Sequence, residues 1–158
     1  QVLRLGLPGA HLALLTAYGW GENRPESDSA LSVSHVHRIK AVVDIYGPVD
    51  LTTPYAQTQP LVTNFMARHY TEAPELYREA SPVNYLDKGD PPTMILHGTS
   101  DTLVPVSQSD TLKARLDRLG IPNVYHRVPL WPHTMDLVQR VNDFAQQKME
   151  EFFRKTLM

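Results

Sequence analysis

The stretch Pro92-Thr-Met-Ile-Leu-His-Gly-Thr-Ser-Asp101 decides how the rest of the chain is read. Met94, Ile95 and Leu96 form a short apolar run closed by Gly98, the pattern of a buried parallel strand running into a turn. Asp101 falls just past the carboxyl end of that strand, the edge of an open α/β sheet where reacting groups gather. One predicted helix and one more strand then lead to Leu130-Trp-Pro-His-Thr-Met-Asp136 and its His133. A carboxylate after one strand and a histidine after the next are the acid and base of a triad in the chain order nucleophile, acid, base.

Working outward, Ser107 to Leu119 predicts a helix with Ser107 as N-cap, Asp110 in the box position, an apolar stripe of Leu112, Leu116 and Leu119, and Gly120 as its stop. Asn123 to Val128 alternates, as a strand at the edge of the sheet with one wet face would. Met135 to Phe153 predicts the closing helix, with Val138, Val141, Ala145, Met149 and Phe152 on one face. Upstream, Ile39 to Tyr46 is a near-continuous apolar run suited to the middle of a parallel sheet, turned by Gly47-Pro48. Thr52 to Leu86 reads as short helices and loops. Near the start, Gln1 to Leu5 predicts a strand, Gly6-Leu-Pro-Gly9 a tight turn, and His11 to Tyr18, apolar almost all round, a buried helix. His35 and His37 form a His-x-His pair without supporting ligands nearby and read as loop histidines.

With 158 residues the chain is one domain's worth and can bury a core. A formal net charge of −2 without a basic stripe argues against nucleic acid as a partner. No segment has the ~18 uninterrupted apolar residues that suggest a membrane span. Cysteine is absent, which excludes disulfides and thiolate metal sites and leaves the compartment unassigned.

Five pieces of the sequence carry a family likeness in their order and spacing. They are Gly9-Ala-His-Leu-Ala-Leu-Leu15, Tyr46-Gly-Pro-Val-Asp50, Ser81-Pro82, His97-Gly-Thr-Ser-Asp101 with Leu103-Val-Pro105, and Pro132-His133. Together they resemble the C-terminal half of an α/β-hydrolase of the esterase/lipase type, related to acyl and feruloyl esterases. The resemblance covers nearly the whole chain. It implies an α/β fold with a mostly parallel sheet flanked by helices. The whole chain would form one such domain, N-terminally incomplete, with 51–90 as a cap-like insert. It also implies hydrolysis of a small carboxylic ester by a serine–histidine–aspartate mechanism without cofactor or metal. Asp101 then takes the acid position and His133 the base position, while Asp50, Phe65 and Trp131 are candidates to line the substrate pocket.

One part of the pattern is missing. The family carries Gly-x-Ser-x-Gly on the turn before its buried helix. Aligning Gly9 with the last glycine puts Leu7 in the serine slot and Leu5 in the first glycine slot. The first serine of the chain is Ser27. The residue after the slot, which should offer a backbone N–H to a developing oxyanion, is Pro8, which has none. Three readings follow: an esterase lineage whose chain as written lacks its nucleophile, a hydrolase-derived binding domain without catalysis, and a fragment of an active enzyme. The strand at 1–5 would also present an unpaired edge blunted only by Arg4, so a homodimer, a complex with a missing N-terminal half, or a longer chain of which this is a part is expected.

Overall fold

The computed structural model describes residues 7–19, 39–134 and 137–158. The strand expected at Gln1 to Leu5, the His35/His37 pair and Asp136 lie outside the described residues. Of Leu7 and Pro8 the backbone alone is described, as the first residues of helix α1 (Leu7–Gly19).

Three parallel strands, β1 (Val42–Ile45), β2 (Thr93–Gly98) and β3 (Asn123–Val128), form a sheet in the order β1-β2-β3. The register pairs Val42 with Thr93 and Ile45 with Leu96, then Thr93 with Asn123 and Gly98 with Val128. Parallel neighbours need a crossover between them. Helices α2 (Pro54–Thr58), α3 (Pro60–Met66) and α4 (Pro74–Glu79) with a 3-10 turn at Pro82–Asn84 make the first, and α5 (Ser107–Leu119) makes the second. Helix α6 (Gln139–Leu157) closes the chain. This is the α/β architecture expected from the apolar run at 93–98.

The central strand β2 is buried along its whole length. Its side chains alternate between the two faces, as the pleat requires. Ile95 joins Leu14, Tyr18, Val42, Leu112 and Leu116 in one core, and Leu96 joins Tyr46, Val141 and Ala145 in the other. Full burial of each such aliphatic side chain is worth about 1.5–3 kcal/mol, so these two layers dominate the stability. A third cluster of Leu51, Ala56, Val62, Met66 and Tyr77 holds the helical segment between β1 and β2 together. Tyr77 is anchored there by its hydroxyl, which donates to Arg68 O at 2.7 Å.

The structure departs from the sequence reading at four boundaries. Helix α1 is not buried all round: Ala10, His11, Leu14, Ala17 and Tyr18 face inward, while Leu12 is 45% exposed, because among the described residues only one face meets the sheet. Ser107 is the first helical residue of α5 and not its cap. Val106 precedes it in helical geometry, and Gln108 and Asp110 N–H are satisfied by Pro105 O and Val106 O, so no side-chain cap is needed. Gly120 does stop α5, in the left-handed conformation at φ +72° that glycine adopts freely. Helix α6 begins at Gln139, later than expected, since Val138 is still extended (φ −88°, ψ 121°) and takes the cap position. Finally, β3 has no wholly wet face. Tyr125 packs on the core under α5, and His126 meets the Phe144 ring of α6 edge-on at 5.6 Å.

Candidate active site

Asp101 and His133 meet at the carboxyl ends of β2 and β3. The loop after β2 carries Asp101 three residues beyond Gly98, and the loop after β3 returns across it. Gly98 allows that crossing: a Cβ there would lie 2.2 Å from the Trp131 carbonyl oxygen. Backbone bonds lock the two loops together, Thr99 N–H to Val128 O at 3.0 Å and Ser100 N–H to Trp131 O at 3.0 Å. The Thr99 hydroxyl oxygen adds an acceptor for Leu130 N–H at 2.9 Å. Leu130 (φ +62°) and Thr134 (φ +58°) bracket the turn that presents His133. Gly98→Ala is therefore expected to cost about 1–3 kcal/mol through overpacking and to separate His133 from Asp101. Thermal unfolding together with the His133 imidazole chemical shifts would register both effects.

The His133 Nδ1–H donates to Asp101 Oδ2 at 2.6 Å, with both residues 8% exposed. That bond fixes the tautomer and leaves Nε2 as the basic nitrogen. The other carboxylate oxygen, Oδ1, accepts Leu103 N–H and Val104 N–H, each at 2.9 Å. Burial alone would raise the Asp101 pKa. Hydrogen bonds from His133, His97 and Val104 N–H outweigh it and hold the carboxyl well below the usual carboxylate range. Asp101 is thus an anion at any physiological pH.

His97 supports this carboxylate and is itself fully buried. Its Nε2–H donates to Val104 O at 2.9 Å and lies 3.2 Å from Asp101 Oδ2. Its Nδ1 must then accept, and the Ser109 hydroxyl donates to it at 2.7 Å. The sequence places His97 next to the apolar run as a structural residue, and these two bonds give it that role. His11 is likewise a satisfied core histidine, with Nε2–H donating to Ala80 O at 2.6 Å; burial lowers its pKa and keeps it neutral.

The three pocket candidates are engaged in separate contacts. Asp50 is engaged in its own turn, Oδ1 accepting both Thr52 N–H (2.9 Å) and the Thr52 hydroxyl (2.6 Å). Phe65 on α3 is 53% exposed and meets the His11 ring edge-on at 5.7 Å. Trp131 packs on the Leu96 layer and lines a groove of about 600 Å³ with Tyr125, His126, Arg127, Arg140 and Phe144. That groove runs beside the outer strand and does not include Asp101 or His133. Tyr55 on α2 lies nearer the chemistry. Its hydroxyl is buried without a hydrogen-bond partner among the described residues, and burial, with the Asp101 charge adding to it, pushes its pKa up to about 12.

Two contributors escape a sequence reading. Gln108 is buried on α5 and acts as a latch: Oε1 accepts Val49 and Asp50 N–H at 2.9 and 2.8 Å, while Nε2 donates to Asp50 O and Thr53 Oγ1 at 3.2 and 3.1 Å. A glutamine in the first turn of a helix gives no sign of this. Tyr46 lies with its ring 4.3 Å from that of His133. The hint in sequence is its place at the head of the Tyr46-Gly-Pro-Val-Asp50 piece, which gives no sign of the contact with His133.

A parallel sheet flanked by helices, with a buried carboxylate–imidazole pair beyond its carboxyl edge, defines the class: this is an α/β-hydrolase fold of the esterase type. The family described as BD-FAE matches residues 6–116, and the chain belongs to that family. Among curated proteins it is similar to Esterase LipQ of Mycobacterium tuberculosis (strain ATCC 25618 / H37Rv), at 33% identity over 86% of this chain and 33% of the relative. A probable carboxylic ester hydrolase, LipM, of the same organism is 30% identical over 84% of this chain and 32% of the relative. The chain thus spans about a third of the length of these relatives. Among solved structures, a truncated carbohydrate esterase from gut microbiota superposes with a TM-score of 0.72 at 23% identity, over 96% of this chain and 57% of the other. An acylaminoacyl peptidase gives 0.71 at 20% identity, over 96% and 23%. At these identities the two structures speak for the fold.

No helix among the described residues is long and apolar enough to cross a membrane. No group of three or more His, Asp or Glu side chains among them is disposed to hold a metal ion.

Proposed function

We propose that this chain carries the acid–base half of a serine-type carboxylic ester hydrolase acting on a small ester. The 2.6 Å bond from His133 Nδ1–H to a carboxylate held ionised supports this reading above all else. In such a mechanism His133 Nε2 takes the proton of an attacking hydroxyl, and Asp101 stabilises the resulting imidazolium. Nε2 then returns the proton to the leaving alcohol. An oxyanion hole would be completed by backbone N–H groups. The esterase names of the curated relatives fit this substrate class.

The slot expected for the nucleophile holds Leu7, and Pro8 follows it without an N–H. These two residues favour a second reading, in which the acid–base pair persists in a domain that binds without hydrolysing. A fluorophosphonate probe separates the two. The chain as written is expected to remain unlabelled, since loss of a triad serine costs on the order of 10⁶ in rate. Leu7→Ser combined with Pro8→Ala is expected to label slowly, and that labelling should vanish on adding His133→Ala. Labelling of any serine in the unaltered chain would show that the nucleophile lies elsewhere. Labelling indifferent to His133 would remove the base from the proposal.

A further inference from the structure

The acid–base pair is fixed on one side by Asp101. A second contact on the His133 ring comes from the turn that ends β1. Tyr46 occupies left-handed backbone geometry at φ +48°, an uncommon conformation for a bulky aromatic residue. It is 6% exposed, and its N–H donates to Leu96 O at 2.9 Å, continuing the sheet ladder one residue past the strand. The geometry throws its ring over His133, with centroids 4.3 Å apart and planes inclined at 55°. Leu96, Val141 and Ala145 pack in the same cluster as Tyr46.

The turn is held from below by Asp44. Its Oδ1 accepts Gly47 N–H at 2.9 Å inside the core. Gly47 in turn lies against helix α1: a Cβ there would come within 3.0 Å of Ala10 Cβ and 3.3 Å of Leu14 Cδ1, as well as 2.4 Å of Asp44 Oδ1. One short segment, 44–47, therefore touches the helix that follows the nucleophile slot and the imidazole that would serve it. Backbone strain at a bulky residue persists only where its surroundings over-determine it, and such strain gathers at functional sites.

We infer that Tyr46 is a positioning residue for the base, its ring confining the His133 imidazole to the orientation in which Nδ1–H meets Asp101, with the Asp44–Gly47 bond setting the turn. This rests on His133 and Asp101 being the functional pair, and it adds a second support to that pair. The ring face carries the effect.

The test is nitrogen-15 and proton NMR of the 158-residue chain, with the seven histidines assigned by substitution. In the unaltered chain His133 should show a single Nδ1–H tautomer with a slowly exchanging proton. Tyr46→Asn tolerates the left-handed backbone but removes the ring. It should speed exchange of that proton about three- to tenfold, the range an aromatic contact is worth. Tyr46→Leu, which keeps apolar volume in the cluster, should do the same should the asparagine variant not fold. Tyr46→Phe should behave as the unaltered chain, and the His97 signals should stay fixed throughout. Unchanged His133 exchange in the ring-less variants would overturn the inference, as would a phenylalanine variant that behaves like them. Asp101→Asn separates this from the underlying reading. If it leaves the His133 tautomer unmoved, the pair itself fails; if it flips the tautomer while the Tyr46 variants do nothing, the role of Tyr46 alone fails.

Discussion

Replacing Asp101 by alanine is expected to destabilise the chain by about 3–5 kcal/mol in denaturant unfolding at neutral pH. The carboxylate takes Leu103 N–H, Val104 N–H and His133 Nδ1–H, and His97 Nε2 lies 3.2 Å away. Alanine would strand buried donors of the loop after β2 and release the His133 loop together with them. Each unsatisfied buried donor costs about 1–3 kcal/mol, which makes the range plausible without any contribution from catalysis. Asparagine should cost less, because one oxygen still accepts Leu103 and Val104 N–H. Its amide would face His133 Nδ1, however, and drive the proton to Nε2, leaving the imidazole in the wrong tautomer for a base. The pH dependence has a definite sign. Asp101 is held below its unfolded value, near 3.9, so its contribution is fully present above about pH 4. It is lost as pH falls towards the depressed folded value, and the gap between the unaltered chain and Asp101→Ala should narrow there. A gap that stays constant through acid would mean the carboxylate is not held by charge.

The second large effect belongs to Asp44 and runs the opposite way. This side chain is fully buried on β1. Its Oδ2 has no hydrogen-bond partner among the described residues, and burial pushes its pKa from 3.8 up to about 7 against the opposing influence of His97 and Gly47 N–H. The folded state therefore holds this proton more tightly than the unfolded chain does. Its protonated form favours folding at low pH, and that advantage is progressively lost between about pH 4 and pH 7. Asp44→Asn replaces the carboxyl by a neutral group of the same shape that still accepts Gly47 N–H. It should already stabilise the chain slightly at pH 5, and its advantage should grow by about 2–3 kcal/mol between pH 5 and pH 8. Urea unfolding at the two pH values checks it, and the difference between the two proteins isolates Asp44 from Asp90, which burial also pushes up, to about 6. A difference independent of pH would show that Asp44 is ionised in the folded chain, with its charge satisfied.

Much of this molecule is legible in one dimension because its decisive features are local. An apolar run closed by glycine makes β2, a stripe of leucines ended by Gly120 makes α5, and the loop residues after two successive strands are brought to one edge by the parallel topology itself. That is why Asp101 and His133 stand out before any coordinates are seen. The helical register of α6 was legible too, but its start was not, since Val138, an apolar residue on the expected stripe, stays extended.

What only the tertiary structure decided is the set of contacts between segments distant in sequence. His97 reads as one more strand residue until Val104 O and Ser109 Oγ close around it. Gln108 reads as a solvent-facing helical residue until the 49–53 segment folds onto its amide. Gly98 and Gly47 look like ordinary turn glycines, yet each is small because another backbone or helix passes within van der Waals distance of where a side chain would be. Tyr46 meets His133 only because β1 and β3 flank the same central strand. Sequence patterns record burial and backbone preference, which act residue by residue. Close packing and buried hydrogen bonds depend on which surfaces come together, and only the folded chain specifies that.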